Sequence, residues 1–431
     1  MLAGFQIADI TPPLGVHLAG HFVDRPANEI HDPITARALV LADGNTRAAL
    51  IGTDLVGIPE QLVAEARALI TRQVGIPPEN VMIWATHTHA GPKLGDIGWS
   101  PKDPRYNTIL PRMLAGAVVA AAHNVSEITA RFAVGTESRI SFNRRYRMRD
   151  GTIQTNPGVG NPAVAAVDGP TDPDVGVLLL DRDGRTAGAL VNFACHLDVI
   201  GSGNHSYSAD FPYFMHEALK AVYGPDFHSI FANGACGNLN HINVFATRRQ
   251  GGFDHSRLMG RILAGEVLKT NFLAEPIQLE PISCTAEKVE LQLRRFSAEE
   301  IAQFKKDLND PEVASSRISS GNFARGCAER ALAIVESGIS SLQVEVQVIR
   351  LGELALVAIP GEYFVEFGLQ IKQCSPARAT FLIELANGSI GYIPTRAAFE
   401  TGAYEGSSAR FNADAGETLA AAALRMLSST P

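Results

Sequence analysis

Two histidines one residue apart, His87 and His89, stand in the segment Ala85-Thr86-His87-Thr88-His89-Ala90-Gly91-Pro92. Imidazole is the commonest metal ligand and, when neutral, a general base. On a continuing strand, residues i and i+2 face the same side, so both rings would look into one space. The Gly91-Pro92 pair ends that strand at once and leaves the histidines at a loop edge. A third histidine, His196, follows the apolar run Ala189-Leu190-Val191-Asn192-Phe193-Ala194-Cys195, and a carboxylate, Glu362, follows Ile359-Pro360-Gly361. Two histidines and a glutamate are a known ligand set for a catalytic zinc with one open position. Each has a structural alternative: His196 as a hydrogen-bonded strand-end residue, Glu362 as a carboxylate favoured by the dipole of a helix starting near Tyr363. Spacing does not decide between them, because the residues come from distant segments. Cys195 reads as core, since neighbours on a strand point to opposite faces and it would not meet His196.

Other chemistries are excluded by what is missing. The run Gly234-Ala235-Cys236-Gly237-Asn238-Leu239-Asn240-His241-Ile242-Asn243 lets backbone approach a ligand closely but lacks the Gly-Lys-Ser/Thr ending of a phosphate loop. There is no Gly-x-Ser-x-Gly elbow and no His-Glu-x-x-His helix.

The elements that must position these residues repeat a local shape. Ile34 to Leu41, Asp43-Gly44 and Ala48 to Thr53 read as strand, tight turn and strand. Val175 to Asp181, Asp183-Gly184 and Ala187 to Ala194 read the same way, as do Val344 to Arg350, Gly352-Glu353 and Leu354 to Ile359. The second strands run into Asp54, His196 and Glu362. Two further strands, Val81 to Ala85 and Ser229 to Ala232, run into the His87 segment and the Gly234 segment. Ligand-binding groups gather where strands end, so five such ends predict one shared site. Amphipathic spacing predicts helices over Glu60 to Gln73, Asp210 to Tyr223, His255 to Lys269, Ala298 to Leu308 and Ala324 to Ser337. The expected class is α/β (mixed α+β): mixed sheets with hairpins, flanking helices and a site at strand ends. The chain reads as one catalytic domain over 1–431, with a peripheral helical insertion at about 285–341. The Pro- and Gly-rich stretch Asn156 to Asp174 reads as a long loop.

Composition narrows the class. The 431 residues carry 45 acidic and 37 basic side chains, a net charge of −8, which argues against a nucleic-acid partner and an anionic membrane surface. No window is long and apolar enough to span a bilayer; the longest candidate, Met113 to Ala122, is too short. Five unclustered cysteines and an N-terminus without a basic or long apolar segment suit a reduced, cytoplasmic protein.

The motifs together resemble the neutral/alkaline (non-lysosomal) ceramidase family. The resemblance rests on Ala8-Asp9-Ile10-Thr11-Pro12, on Ile30-His31 leading into Ala36-Arg37-Ala38, on Thr86 to Pro92 and on Phe142-Asn143-Arg144. It continues through Asn192-Phe193-Ala194-Cys195-His196, Gly237-Asn238-Leu239-Asn240, Pro360-Gly361-Glu362, Gly391-Tyr392-Ile393-Pro394-Thr395 and Tyr404-Glu405-Gly406. Each motif is short, but they follow in the family's order over nearly the whole chain. The resemblance implies a zinc amidase of the catalytic, N-terminal domain type, in a short bacterial-type form, with one Zn²⁺ per chain. It implies His87, His196, Glu362 and Tyr392 as metal ligands. It implies His89, Arg144 and Tyr404 on the substrate side, binding the scissile carbonyl or its oxyanion. The residue-level reading reaches the two histidines and the glutamate independently but takes Tyr392 for a core aromatic. Three departures stand out. Asn240 occupies the place of the long members' serine, where it can bind substrate but not act as a nucleophile. The chain ends at Pro431 without the family's C-terminal β-domain, and no secretion signal is seen.

The expected function is hydrolysis of an N-acyl amide bond in a small or amphipathic substrate by zinc-activated hydroxide, with His89 or Tyr404 as general acid. An ester, lactone or carbamate substrate is the alternative within enzymes. A ceramidase-fold binding protein without turnover is the alternative outside them. Asp54 and Asp198 are candidates to orient a ligand histidine, and Asp210 to cap the helix after it. Self-association is the usual base rate for a homo-oligomer.

Overall fold

Asp43-Gly44, Asp183-Gly184 and Gly352-Glu353 each close an antiparallel hairpin in the computed structural model, which describes residues 1–95, 101–310 and 319–429. Each hairpin is the centre of a larger unit. Strand Arg47–Thr53 continues through helix Glu60–Val74 to the parallel strand Val81–Ala85. Arg185–Phe193 continues through Phe211–Tyr223 to the parallel strand His228–Asn233, and Leu354–Ala358 through Val365–Cys374 to the parallel strand Ala379–Ile383. On the other edge an antiparallel strand precedes each hairpin: Leu2–Asp9, Thr129–Thr136 and Ile282–Gln292. Three antiparallel strands, a crossover helix and a parallel strand therefore recur three times, giving mixed sheets of the expected class.

The strands read as nearly unbroken apolar runs because both faces are covered. Along Ala38–Leu41, Ala38 and Val40 pack under the helices Glu60–Val74 and Pro104–His123, while Leu39 and Leu41 face a core shared by all three sheets. That shared core takes Leu50 and Trp84 from the first sheet, Leu178 and Leu190 from the second, and Leu356 and Phe381 from the third. Helices Phe211–Tyr223 and Phe253–Asn271 cover the second sheet, and Val365–Cys374 and Ala415–Ser429 the third. The apolar stretch Met113 to Ala122 belongs to one of the covering helices, and no described helix is long and apolar enough to cross a membrane.

Buried polar side chains fasten the sheets to one another. Trp84 Nε1 of the first sheet donates to Phe231 O of the second at 2.9 Å, and Asn192 Nδ2 donates both to Leu382 O of the third sheet and to Ala232 O of its own, each at 2.9 Å. Replacing Asn192 with alanine strands those carbonyls in a dry interface, and the unfolding free energy is expected to fall by about 1–3 kcal/mol. A denaturant midpoint checks this; an unchanged midpoint would show that the inter-sheet bond carries no net stability.

Two boundaries differ from the sequence reading. The segment Thr285 to Gln292 is not helical insertion but the second half of strand Ile282–Gln292, paired throughout with Ser341–Leu351. It looks polar because it is an edge strand: Val289 and Leu291 are buried, while Lys288, Glu290 and Gln292 face water. The helical part is Ala298–Asn309, opened by a Ser297/Glu300 capping box, and Ser319–Ser337; residues 311–318 lie outside the described residues. The second difference is the stretch Asn156 to Asp174, which is not loop throughout. Val164–Val167 pairs with Arg145–Met148, which also pairs with Ile153–Thr155.

Candidate metal centre

The strand Val81–Ala85 stops before the histidines, so His87 and His89 do not share a face through strand alternation. His87 instead adopts a left-handed backbone with φ 78°, a conformation uncommon outside glycine. Its N–H donates to Leu55 O at 2.8 Å, and His89 N donates to Leu197 O at 3.0 Å. The turn is thus clamped by the loops that follow the neighbouring strands, and the two rings converge by loop geometry. His87 Nδ1 lies 2.6 Å from Val56 O, which can only accept, so that nitrogen carries the proton and Nε2 faces inward. There it meets His196 Nε2 at 3.1 Å and His89 Nε2 at 3.4 Å, and Glu362 Oε2 lies 3.4 Å away.

These spacings fit a metal. Ligand atoms about 2.0–2.1 Å from a tetrahedral zinc lie about 3.3–3.4 Å from each other. Burial holds the His89 and His196 imidazoles well below the usual pKa, helped by their positive neighbours, so both rings are neutral and carry a lone pair. Burial also pulls on His87, but Glu362 and Glu384 outweigh it and raise its pKa. Glu362 is held below the usual carboxylate range despite its burial, by His87 and Tyr392. Its Oε2, like His196 Nδ1, is buried without a hydrogen-bond partner. Inward-facing nitrogens at 3.1 Å beside an unpartnered carboxylate oxygen make a site that a cation completes. The donor set of imidazole nitrogens and a carboxylate suits zinc.

Glu362 reaches the histidines from a two-residue strand, Glu362–Tyr363, not from a helix; the helix begins later, at Val365. That strand pairs in parallel with Tyr392–Ile393, and Glu362 is the direct register partner of Tyr392. This explains how a tyrosine that looks like core enters the site. Gly237 lies behind Glu362: a Cβ there would stand 2.4 Å from the Glu362 carbonyl oxygen. Gly237→Ala must therefore displace Glu362, and metal affinity is expected to fall about 10- to 100-fold, the scale of losing a ligand's support. Titration against a competing chelator measures it; unchanged affinity would mean that the position of Glu362 does not govern binding.

On the far side of Glu362 stand Arg144, Tyr392 and Tyr404. The Arg144 Cζ lies 5.4 Å from the Tyr392 ring centroid and 5.7 Å from that of Tyr404, and the two rings meet edge-on at 5.4 Å. Arg144 Nε donates to Glu405 Oε1 at 2.8 Å and Nη2 to Gly237 O at 2.6 Å. Arg145 and Thr155 hold the other oxygen of Glu405, at 3.1 and 2.8 Å. Glu405 is fully buried and carried no role in the sequence reading. Burial, with the charge of Glu362, pushes the Tyr404 phenol up to about 12 and raises Tyr392 as well, so both keep their protons at neutral pH. Arg144, His196, Asn156 and Asn240 border a cavity of about 410 Å³. Asn240 Nδ2 donates to Asn156 Oδ1 at 2.8 Å, and its Oδ1 accepts from Ile242 N at 3.0 Å, so its amide is engaged in shaping that wall.

The structure also redistributes the supporting carboxylates. Asp54 orients no histidine: its Oδ2 accepts from Thr35 N and Oγ1 at 2.9 and 2.6 Å, and a backbone carbonyl, Val56 O, does that work for His87. Asp198 does face the cluster, 2.9 Å from His21 Nε2 and 3.8 Å from His89 Nδ1. Asp210 caps helix Phe211–Tyr223, accepting from Phe211 N at 2.7 Å. Cys195 is fully buried, and burial pushes its thiol up, as fits core. Glu384 was missed. It follows the buried strand Ala379–Ile383 as Glu362 follows its own, which was a readable signal, and burial pushes it up to about 7. The third sheet thus delivers two carboxylates to the site.

No protein-family model and no curated sequence matches the chain. Solved structures do. Neutral ceramidase from Pseudomonas aeruginosa superposes with a TM-score of 0.74 at 20% identity, covering 99% of this chain and 73% of that one. A ceramidase complexed with C2 gives 0.74 at 19% identity, covering 99% and 74%. At such identity the likeness is one of fold, and across nearly its whole length this chain is similar in fold to neutral ceramidase.

Proposed function

We propose that this protein is a zinc-dependent hydrolase that cleaves an amide bond in a small-molecule substrate. The observation that carries the reading is the convergence of His196 Nε2, His89 Nε2 and Glu362 Oε2 on His87 Nε2, at 3.1, 3.4 and 3.4 Å, beside a cavity of about 410 Å³. The fold shared with neutral ceramidase supports the choice of bond.

His87, His196, Glu362 and Tyr392 hold the metal in this reading. When bound, zinc supplies a Lewis acid that can generate a nucleophile at neutral pH. Arg144, fixed by Glu405, and Tyr404, protonated up to about pH 12, present donors to the oxygen on which charge develops. Their burial makes them more effective than the same groups in water. A proton must reach the leaving nitrogen, and His89, backed by Asp198, and Tyr404 are the groups beside the cluster able to carry it.

A panel of N-acyl amines, esters and lactones with a common acyl group tests this. Amine release is expected from the amides, abolished by a chelator and restored by zinc. A protein that binds zinc and turns over none of the panel would sink the hydrolase reading.

A further inference from the structure

Beyond helix Ala403–Ser408, which carries Tyr404, lies a second cavity of about 210 Å³. Three arginines border it: Arg294, Arg330 and Arg410. Among the described residues, Glu300 is the one acidic residue on its wall, 3.5 Å from Arg294. Arg330 donates through Nε to Gly326 O at 3.2 Å, but its Nη2 is buried without a hydrogen-bond partner. Ser408 Oγ on the same wall is buried too, and the Cys327 thiol, which also lines the cavity, is hydrogen-bonded to Ser408 and to Arg330. Burial lowers the Arg410 pKa, and the charge of Arg330 lowers it further. Guanidinium groups are costly to desolvate together, and buried charges are ordinarily paired. Among the described residues, three guanidinium groups beside one carboxylate leave a surplus of positive charge around a small space, with Arg330 Nη2 as a buried donor left unfilled.

One short helix links the cavity to the metal side. Tyr404 stands at the start of the short helix whose end, Ser407 and Ser408, forms the cavity wall. The charge of Arg330 acts on the Tyr404 phenol, and its Cζ lies 5.7 Å from the ring centroid of Phe22, which neighbours His21 in sequence. Arg410 Cδ lies 3.9 Å from where a Cβ on Gly391 would be, next to Tyr392. Phe296 and Phe304, in edge contact at 5.3 Å, give the cavity an apolar side.

We propose that this arginine-lined cavity is an anion-binding site that takes a carboxylate or phosphate group carried by the substrate, so that the compound hydrolysed is an anionic N-acyl derivative. Arg330 and Arg410 bind the oxyanion through their forks and Ser408 donates a further hydrogen bond. The substrate assignment rests on the hydrolase reading; the anion site does not.

Two measurements separate them. Calorimetric titration with inorganic phosphate, at constant ionic strength, is expected to show binding to the native protein. That binding should weaken about 10- to 100-fold in Arg330→Gln and in Arg410→Gln, the scale of a lost charge-assisted hydrogen bond. It should persist in His196→Ala, which separates the cavity from phosphate held at a metal. Melting curves confirm that each variant is folded, and Arg410→Lys, which keeps the charge without the fork, should fall between. No binding, binding unchanged from native in both glutamine variants, or binding lost only in His196→Ala would overturn the anion site. The second measurement compares an N-acylglycine, an N-acylethanolamine phosphate and the neutral N-acylethanolamine with one acyl chain. Hydrolysis favouring a charged compound, with that preference collapsing about 10- to 100-fold in Arg330→Gln, supports the substrate class. The better of the two charged compounds names the anion. Equal hydrolysis of all three overturns the substrate class, whereas phosphate binding without any hydrolysis overturns the hydrolase reading and leaves the anion site standing.

Discussion

Replacing His196 with alanine is expected to reduce bound metal from about one ion per chain to almost none, and to abolish turnover with it. The imidazole is buried, and its Nε2 faces His87 Nε2 at 3.1 Å. It is delivered by the loop that follows strand Arg185–Phe193 of the second sheet. Loss of a mere supporting partner costs about 10- to 100-fold in metal affinity, and loss of a ligand should exceed that. The fold should survive. The backbone here is held by Asn233, whose Oδ1 accepts from Cys195 N at 3.2 Å and whose Nδ2 donates to Cys195 O at 3.0 Å. Elemental analysis of the native protein and the variant, side by side with melting curves, decides the matter. Full activity without metal would sink the zinc reading. Metal retained at full stoichiometry would place the ion elsewhere, and the grouping of His21, His89 and Asp198 is where it would then be sought.

Tyr404→Phe should do the opposite: metal content unchanged, turnover down. The phenol is the acidic tip of a ring packed against Tyr392 and Arg144, and burial with the charge of Glu362 keeps it protonated to about pH 12. A donor aimed at developing charge is worth about 10²- to 10³-fold in kcat. Phenylalanine keeps the ring and removes only that donor, so stability should barely move. The pair of readouts, metal by elemental analysis and kcat by amine release, separates the two tyrosines. If Tyr404→Phe loses metal while Tyr392→Phe keeps it, their roles are exchanged.

Much of this was legible in the chain because the relevant physics is local. The three hairpins were readable from β-rich runs broken by Asp-Gly or Gly-Glu. Their boundaries hold because an apolar run covered on both faces has few other ways to lie. Helix Glu60–Val74 was readable from its apolar spacing, and the cap at Asp210 from a carboxylate directly before the helix. Where the local signal misled, a cause can be named. An edge strand with one wet face, Ile282–Gln292, looked like polar helical insertion. His87 and His89 were expected to share a strand face, yet the strand ends at Ala85 and a left-handed residue turns the rings together instead.

By itself, then, the sequence determined the repeating hairpins, the class of the fold and the residue types that collect where strands end. His87, His196 and Glu362 stood out by residue type, each placed after an apolar strand, with structural alternatives that spacing along the chain left open. Only the tertiary structure decided which of them meet. The register of Glu362 against Tyr392, the approach that Gly237 permits, and the anchoring of Arg144 by Glu405 across 261 positions are contacts between segments that no local pattern links. They arise because three similar sheets share one core and point the ends of their strands toward a common space, a relation fixed by packing rather than by spacing along the chain.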